Sequence, residues 1–192
     1  MVYIVGIDHL VQYNGPVPEE IRSEFRSYLV ATCRELEIGV LAEEFSEEAL
    51  YDVYQASADT AQEAARVLDI EHRYCDPGSQ QLAELGIPCF GDLREQARIA
   101  LNAPAAYILD YGLRKKVIAR ASEMARAYWR IREQYWLDRI RDILDLNVLF
   151  ICGHDHAVRF RDLLVERGHR CALVNRFWKE DVFSEYGRLG LT

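Results

Sequence analysis

The chain has 192 residues, half of them hydrophobic, and a net charge of −8. That length suits one domain, or one domain carrying a helical insertion, and the apolar content allows a sizeable core. The acidic balance, with a pI near 5.2, argues against nucleic acid, whose phosphates are bound by clustered Lys and Arg. No apolar stretch approaches the roughly 18 residues of a membrane-crossing helix, and no basic-then-apolar leader opens the chain. Five cysteines without a C-x-x-C pair argue against a disulfide framework or a thiolate zinc site. These features point to a cytoplasmic protein with neither a membrane nor a nucleic-acid partner.

The first element is a strand over 2–7, an apolar run that ends beside Asp8 and His9. Pro18 and two glutamates open a helix over 18–36, with Ile21, Phe25, Tyr28, Leu29 and Leu36 at helical spacing. A second strand over 39–45 contains Glu43 and Glu44 at its end, and Ser46 caps a following helix. Helical character resumes over 61–68, and a third strand, 71–76, is stopped by Asp76-Pro77-Gly78. Between residues 93 and 145 strand signals vanish and Ala, Arg and Leu fill long helices, the last over 114–145. A fourth strand, 147–152, delivers the chain to Gly153; a helix over 157–167 stops at Gly168, and a fifth strand occupies 170–177. Strands alternating with helices predict a single α/β domain over 1–192: a mostly parallel sheet flanked by helices, with a helical insertion before the fourth strand. The insertion reads as a cover over the sheet edge, a lid or an oligomer contact, and the length and aromatic content of 114–145 suggest a homodimer.

Two tetrads, Gly6-Ile7-Asp8-His9 and Gly153-His154-Asp155-His156, each close an apolar run. If their strands are parallel neighbours, both histidines leave at one carboxyl edge, where open α/β sheets bind ligands. A neutral imidazole is a common metal ligand, and a glycine three residues earlier leaves room for another group. Read as extended chain, the second tetrad puts His154 and His156 on one face, with Asp155 orienting a neighbour or capping a helix. Of Glu43 and Glu44, one faces the site and the other a helix or solvent. A strand-end carboxylate beside two imidazoles suits a divalent ion with an open position for water. Asp76 is a turn former or a support for a neighbour, and Arg132 alone is one more arginine on a charged helix. A non-catalytic alternative keeps the same edge for an ion or small ligand. In it Tyr128, Trp129, Tyr135 and Trp136 contact a partner, unless they pack in a core.

In this order the pieces resemble the TraB/TIKI superfamily, which also takes in the GumN, PrgY, erythromycin-esterase and ChaN groups. The family pattern is a first G-x-x-H after the opening strand, an acid ending the second strand, an Arg in an R-D/N-x-x-L/M helix, and a second G-x-x-H. The corresponding positions are Gly6 and His9, Glu43 or Glu44, Arg132, and Gly153 and His156; Glu133 and Trp136 replace the usual residues of the Arg motif. The resemblance implies a hydrolase that cleaves an amide or ester bond in a small-molecule or peptide substrate by activated water. In its metal-dependent form, His9, Glu44 and His156 hold manganese, cobalt or zinc, with no organic cofactor. Glu43 or Glu44 then acts as general base and Arg132 stabilises the oxyanion or anchors a substrate carboxylate; from its place beside His156, not from the resemblance, His154 is added to the catalytic group. The erythromycin-esterase branch implies instead hydrolysis by His and Glu without an essential metal.

Overall fold

In the computed structural model, residues 1–13, 17–53 and 58–180 are described. The protein is α/β, with strands β1 (Val2–Ile7), β2 (Val40–Glu43), β3 (Glu71–Tyr74), β4 (Val148–Gly153) and β5 (Cys171–Asn175). They form one sheet in the order β3-β2-β4-β1-β5, and every pairing is parallel. The chain divides into two compact units: Met1–Asp76 with the chain from Glu133 onward, and Pro77–Arg132. Among the described residues, no helix is long and apolar enough to cross a membrane.

In the sheet unit, alternation along each strand sends side chains to two faces. Val2, Ile4, Val40, Ala42, Val148, Phe150 and Cys152 point to one face. It is covered by Trp136, Leu137 and Ile140 of α6 (Trp129–Ile140) and by Phe160, Leu163 and Leu164 of α7 (His154–Glu166). Val5, Ile7, Leu41, Leu149 and Ile151 point to the other face. There they meet Phe25 and Leu29 of α1 (Glu19–Glu35) and Ala61, Ala64 and Ala65 of α2 (Thr60–Leu68). Cover on both faces is why β4 is apolar throughout rather than alternating; all six of its residues are buried.

Local chemistry sets the ends of these elements. Pro18 stands at the N-cap of α1, with Glu19 and Glu20 in the first turn complementing the helix dipole. Ser46 behaves as a cap, its Oγ accepting from the Ala49 amide at 3.1 Å. Asp59 caps α2 by accepting from the Gln62 amide at 2.7 Å.

The register pairs Gly6 with Cys152 and Ile7 with Gly153, so β1 and β4 are the parallel neighbours that the tetrads require. β4 lies between β1 and β2, and Glu43 pairs with Ile151. The carboxyl ends of β1, β4 and β2 therefore stand side by side. Beyond β5 the chain turns back, and the Trp178 amide donates to the Gly6 carbonyl at 2.8 Å.

The second unit contains α3 (Ser79–Glu84), α4 (Phe90–Ala100) and α5 (Tyr111–Ala125). Its core is Leu93, Ala97, Ala103, Tyr107, Val117 and Ala121. The strand-free stretch thus begins at Pro77 rather than at 93. The single helix expected over 114–145 is α5, a 3-10 turn at Arg126–Tyr128, α6, and a second 3-10 turn at Arg141–Ile143. Trp136 is fully buried, which makes it a core residue, whereas Tyr128, Trp129 and Tyr135 are half-buried.

Candidate functional site

β1 delivers His9, β2 delivers Glu44 and the start of α7 delivers His156 to the same edge of the sheet. Asp8 caps the short 3-10 turn His9–Val11 by accepting from the Leu10 amide at 3.0 Å, which fixes the exit of the chain. The Glu44 amide donates to the Ile151 carbonyl at 2.7 Å, and its Oε2 accepts from the Gly153 amide at 2.8 Å. The carboxylate is thereby held at the N-terminal end of α7, where the helix dipole favours negative charge. His9 Nε2 lies 3.7 Å from Glu44 Oε2, and His156 Nε2 lies 3.8 Å from Oε1. Both separations exceed a direct hydrogen bond. The Glu44 and His156 side chains are 3% and 6% exposed and that of His9 is 46% exposed, so the group opens to solvent on the His9 side.

The two tetrad glycines are required by close approach. A Cβ on Gly153 would sit 2.7 Å from His9 Nε2, so the second tetrad is hollowed where the histidine of the first one rests. A Cβ on Gly6 would sit 2.0 Å from the Arg176 carbonyl oxygen and 3.0 Å from the His154 Cα.

The far nitrogen of each imidazole is also held. His156 Nδ1 lies 3.0 Å from Oε1 of Glu133, and the same oxygen accepts from Arg159 Nε at 3.0 Å. Glu133 is fully buried, and its Oε2 has no hydrogen-bond partner. Trp136 packs edge-on against the His156 ring with centroids 5.0 Å apart, and its indole donates to Asp76 Oδ1 at 2.9 Å. Asp76 is therefore a support for a site neighbour as well as a turn residue. On the other side, His9 Nδ1 lies 2.6 Å from Gln12 Oε1.

Strand alternation separates the two adjacent glutamates. Glu43 is fully buried on the α1–α2 side of the sheet, away from Glu44. Its Oε2 accepts from Gln12 Nε2 at 2.7 Å, and its Oε1 lies 2.6 Å from His72 Nε2. Asp59 completes the group, accepting from the Tyr74 hydroxyl at 2.5 Å. Donor atoms of Glu43, Asp59 and His72 all lie within 4.8 Å of one another, a spacing that allows one cation to touch all three. Burial pushes Glu43 up to about 7. Burial, and then the charge of Glu43, pushes Asp59 up to about 8, while burial lowers His72. Two buried carboxylates this close retain protons that exposed ones would release.

Two expectations change. His154 and His156 do not share a face, because α7 begins at His154 and successive helical residues are about 100° apart. His154 instead stacks on Phe177 at a centroid distance of 3.9 Å, with Nδ1 3.4 Å from the Ile7 carbonyl. Glu43 belongs to the buried cluster rather than beside Glu44. Arg132, half-buried, is the last residue of the helical unit and directly precedes Glu133 on α6. Glu133 had a legible signal, an acid in line with Trp136, Leu137 and Ile140 on the apolar side of a helix. Gln12, Asp59, His72 and Arg159 had none as members of the site, since their distant partners Glu43 and Glu133 are brought to them only by the tertiary fold. Comparison of the chain with protein-family models, with curated proteins and with solved structures gave no match.

Proposed function

We propose that this protein is a hydrolase of the TraB/TIKI type that cleaves an amide or ester bond with activated water. His9, Glu44 and His156 would hold a divalent metal ion. The observation that carries this reading is the pair of imidazoles flanking one buried carboxylate, Nε2 toward opposite oxygens at 3.7 and 3.8 Å. Each ring is also held from behind, by Gln12 or Glu133. Two imidazoles and a carboxylate, each imidazole backed by an acceptor, have the chemistry of a manganese, cobalt or zinc donor set, although among the described residues the donors that stand close enough to share one ion are those of Glu43, Asp59 and His72. When bound, such an ion supplies a water of lowered pKa and polarises a carbonyl oxygen. The chain's own part is to orient both imidazoles, to keep Glu44 and His156 largely out of bulk water, and to leave the His9 side open for substrate.

The test is the metal content of protein purified without added metal, wild type beside the His9→Ala/His156→Ala double variant, followed by an amide and ester hydrolysis screen. Near-stoichiometric metal that is lost in the double variant, with turnover restored by adding the ion back to stripped wild type, is the expected result. Wild type that neither contains nor binds metal would leave metal-independent His–Glu hydrolysis. A fully active His156→Ala variant would end the hydrolase reading.

A second reading, a non-catalytic module that binds an ion, draws on the spacing of Glu43, Asp59 and His72. Metal retained by the double variant and lost on His72→Ala would favour it.

A further inference from the structure

We infer that Gln12 is a positioning residue that fixes the tautomer of His9, holding its Nε2 as a lone-pair donor at the sheet edge. A glutamine amide has one accepting end and one donating end, and its orientation is decided by the groups around it. Both oxygens of the Glu43 carboxylate face nitrogens, Gln12 Nε2 at 2.7 Å and His72 Nε2 at 2.6 Å. Gln12 Nε2 donates to Glu43 Oε2, which places the NH2 end of the amide inward. Its oxygen then faces outward, 2.6 Å from His9 Nδ1. Only a protonated Nδ1 can satisfy that oxygen, so in the neutral ring the lone pair resides on Nε2. Nε2 is the atom directed toward Glu44 and over the vacant Cβ position of Gly153. Free imidazole side chains favour the opposite tautomer, so the protein sets this one against the intrinsic preference.

The chain His72–Glu43–Gln12–His9 thus connects a fully buried carboxylate on one face of the sheet to a half-exposed imidazole at its edge. Glu43 acts on the site through Gln12 without touching it. Use of the Nε2 lone pair as a metal ligand rests on the function proposed above; the tautomer itself does not.

The experiment is long-range proton–nitrogen correlation on the full chain labelled with 15N-histidine, above the pH of imidazole titration, with His9 assigned by His9→Ala. Wild type is expected to show His9 protonated at Nδ1 and bare at Nε2, and Gln12→Leu to return His9 to the Nε2-protonated form. Zinc titration of chelator-stripped protein should then show about 10- to 100-fold weaker binding for Gln12→Leu, the usual cost of losing a group that orients a ligand. A wild-type His9 protonated at Nε2 overturns the inference, even if Gln12→Leu fails to fold. So does a folded Gln12→Leu with an unchanged His9 pattern. The expected tautomer in a wild type that takes up no zinc upholds the inference and tells against the metal reading.

Discussion

Gly6 and Gly153 differ in what an added methyl group would strike. At Gly6 the obstacle is the Arg176 backbone carbonyl at 2.0 Å, which cannot step aside without moving the chain after β5. Gly6→Ala is expected to destabilise by about 1–3 kcal/mol, the usual cost of overpacking, measured by urea unfolding. At Gly153 the obstacle is the end of a half-exposed side chain, His9 Nε2 at 2.7 Å. Gly153→Ala should therefore unfold nearly as wild type does while binding metal much more weakly. Equal urea midpoints for the two variants would contradict this division. Asp59 supplies a second residue-level prediction, for chelator-treated protein. Its carboxyl is raised from 3.8 to about 8 by burial first and by Glu43 second. Between those values the folded state holds a proton that the unfolded state has released, so this group's contribution to stability falls as pH rises. Asp59→Asn preserves an oxygen for the Gln62 amide but abolishes the titration. Its stability relative to wild type should be greater at pH 8 than at pH 5, and a pH-independent difference would count against a retained proton.

Among the elements, legibility followed how much each depends on its neighbours. β1 and β4 are buried on both faces, so their apolar runs and closing glycines were plain in the sequence, and with them the meeting of His9 and His156. β3 is an edge strand of Glu, His, Arg and Tyr, and His72 gains its importance only from β2 lying beside it. The tetrad Gly153–His156 reads as extended because nothing within it announces that α7 starts at His154; that start turns His154 about 200° from His156. The adjacent acids were readable as a pair on opposite faces, but which one met the histidines was decided by strand direction. α6 carries a test of its own. Glu133→Ala removes an acceptor shared by His156 Nδ1 and Arg159 Nε, and should cost about 1–3 kcal/mol, the usual cost of breaking buried hydrogen bonds. Glu133→Gln keeps an oxygen there and should lie between Glu133→Ala and wild type in thermal unfolding.

At the scale of the molecule, the sheet unit is built from two separate stretches of chain, and the helical unit is the continuous segment between them. The two stretches are tied close to the join, where Asp76 accepts from the Trp136 indole at 2.9 Å. Replacing Pro77–Arg132 by a short Gly/Ser linker is expected to leave a sheet unit that unfolds cooperatively and keeps its near-ultraviolet aromatic dichroism. A linker variant with native secondary structure but no fixed aromatic signal would show that the sheet needs the helical unit to pack. The proposed homodimer cannot use Trp136, Leu137 or Ile140 of the 114–145 stretch, since the sheet unit buries all three. Sedimentation equilibrium of the full chain decides whether two copies associate.

The void above Gly153 also has an evolutionary consequence. The atoms nearest to an added Cβ there are His9 Nε2 at 2.7 Å, then Glu44 Oε2 and His9 Cε1 at 3.4 Å. Once His9 is shortened to alanine, the one of these three atoms that remains is Glu44 Oε2 at 3.4 Å, at the edge of ordinary packing. The harm of Gly153→Ala is therefore conditional on the residue at position 9, and the two substitutions together should do little more than His9→Ala alone. A lineage that gave up the first histidine would be released from keeping the second glycine, whereas one that kept the histidine would be bound to both.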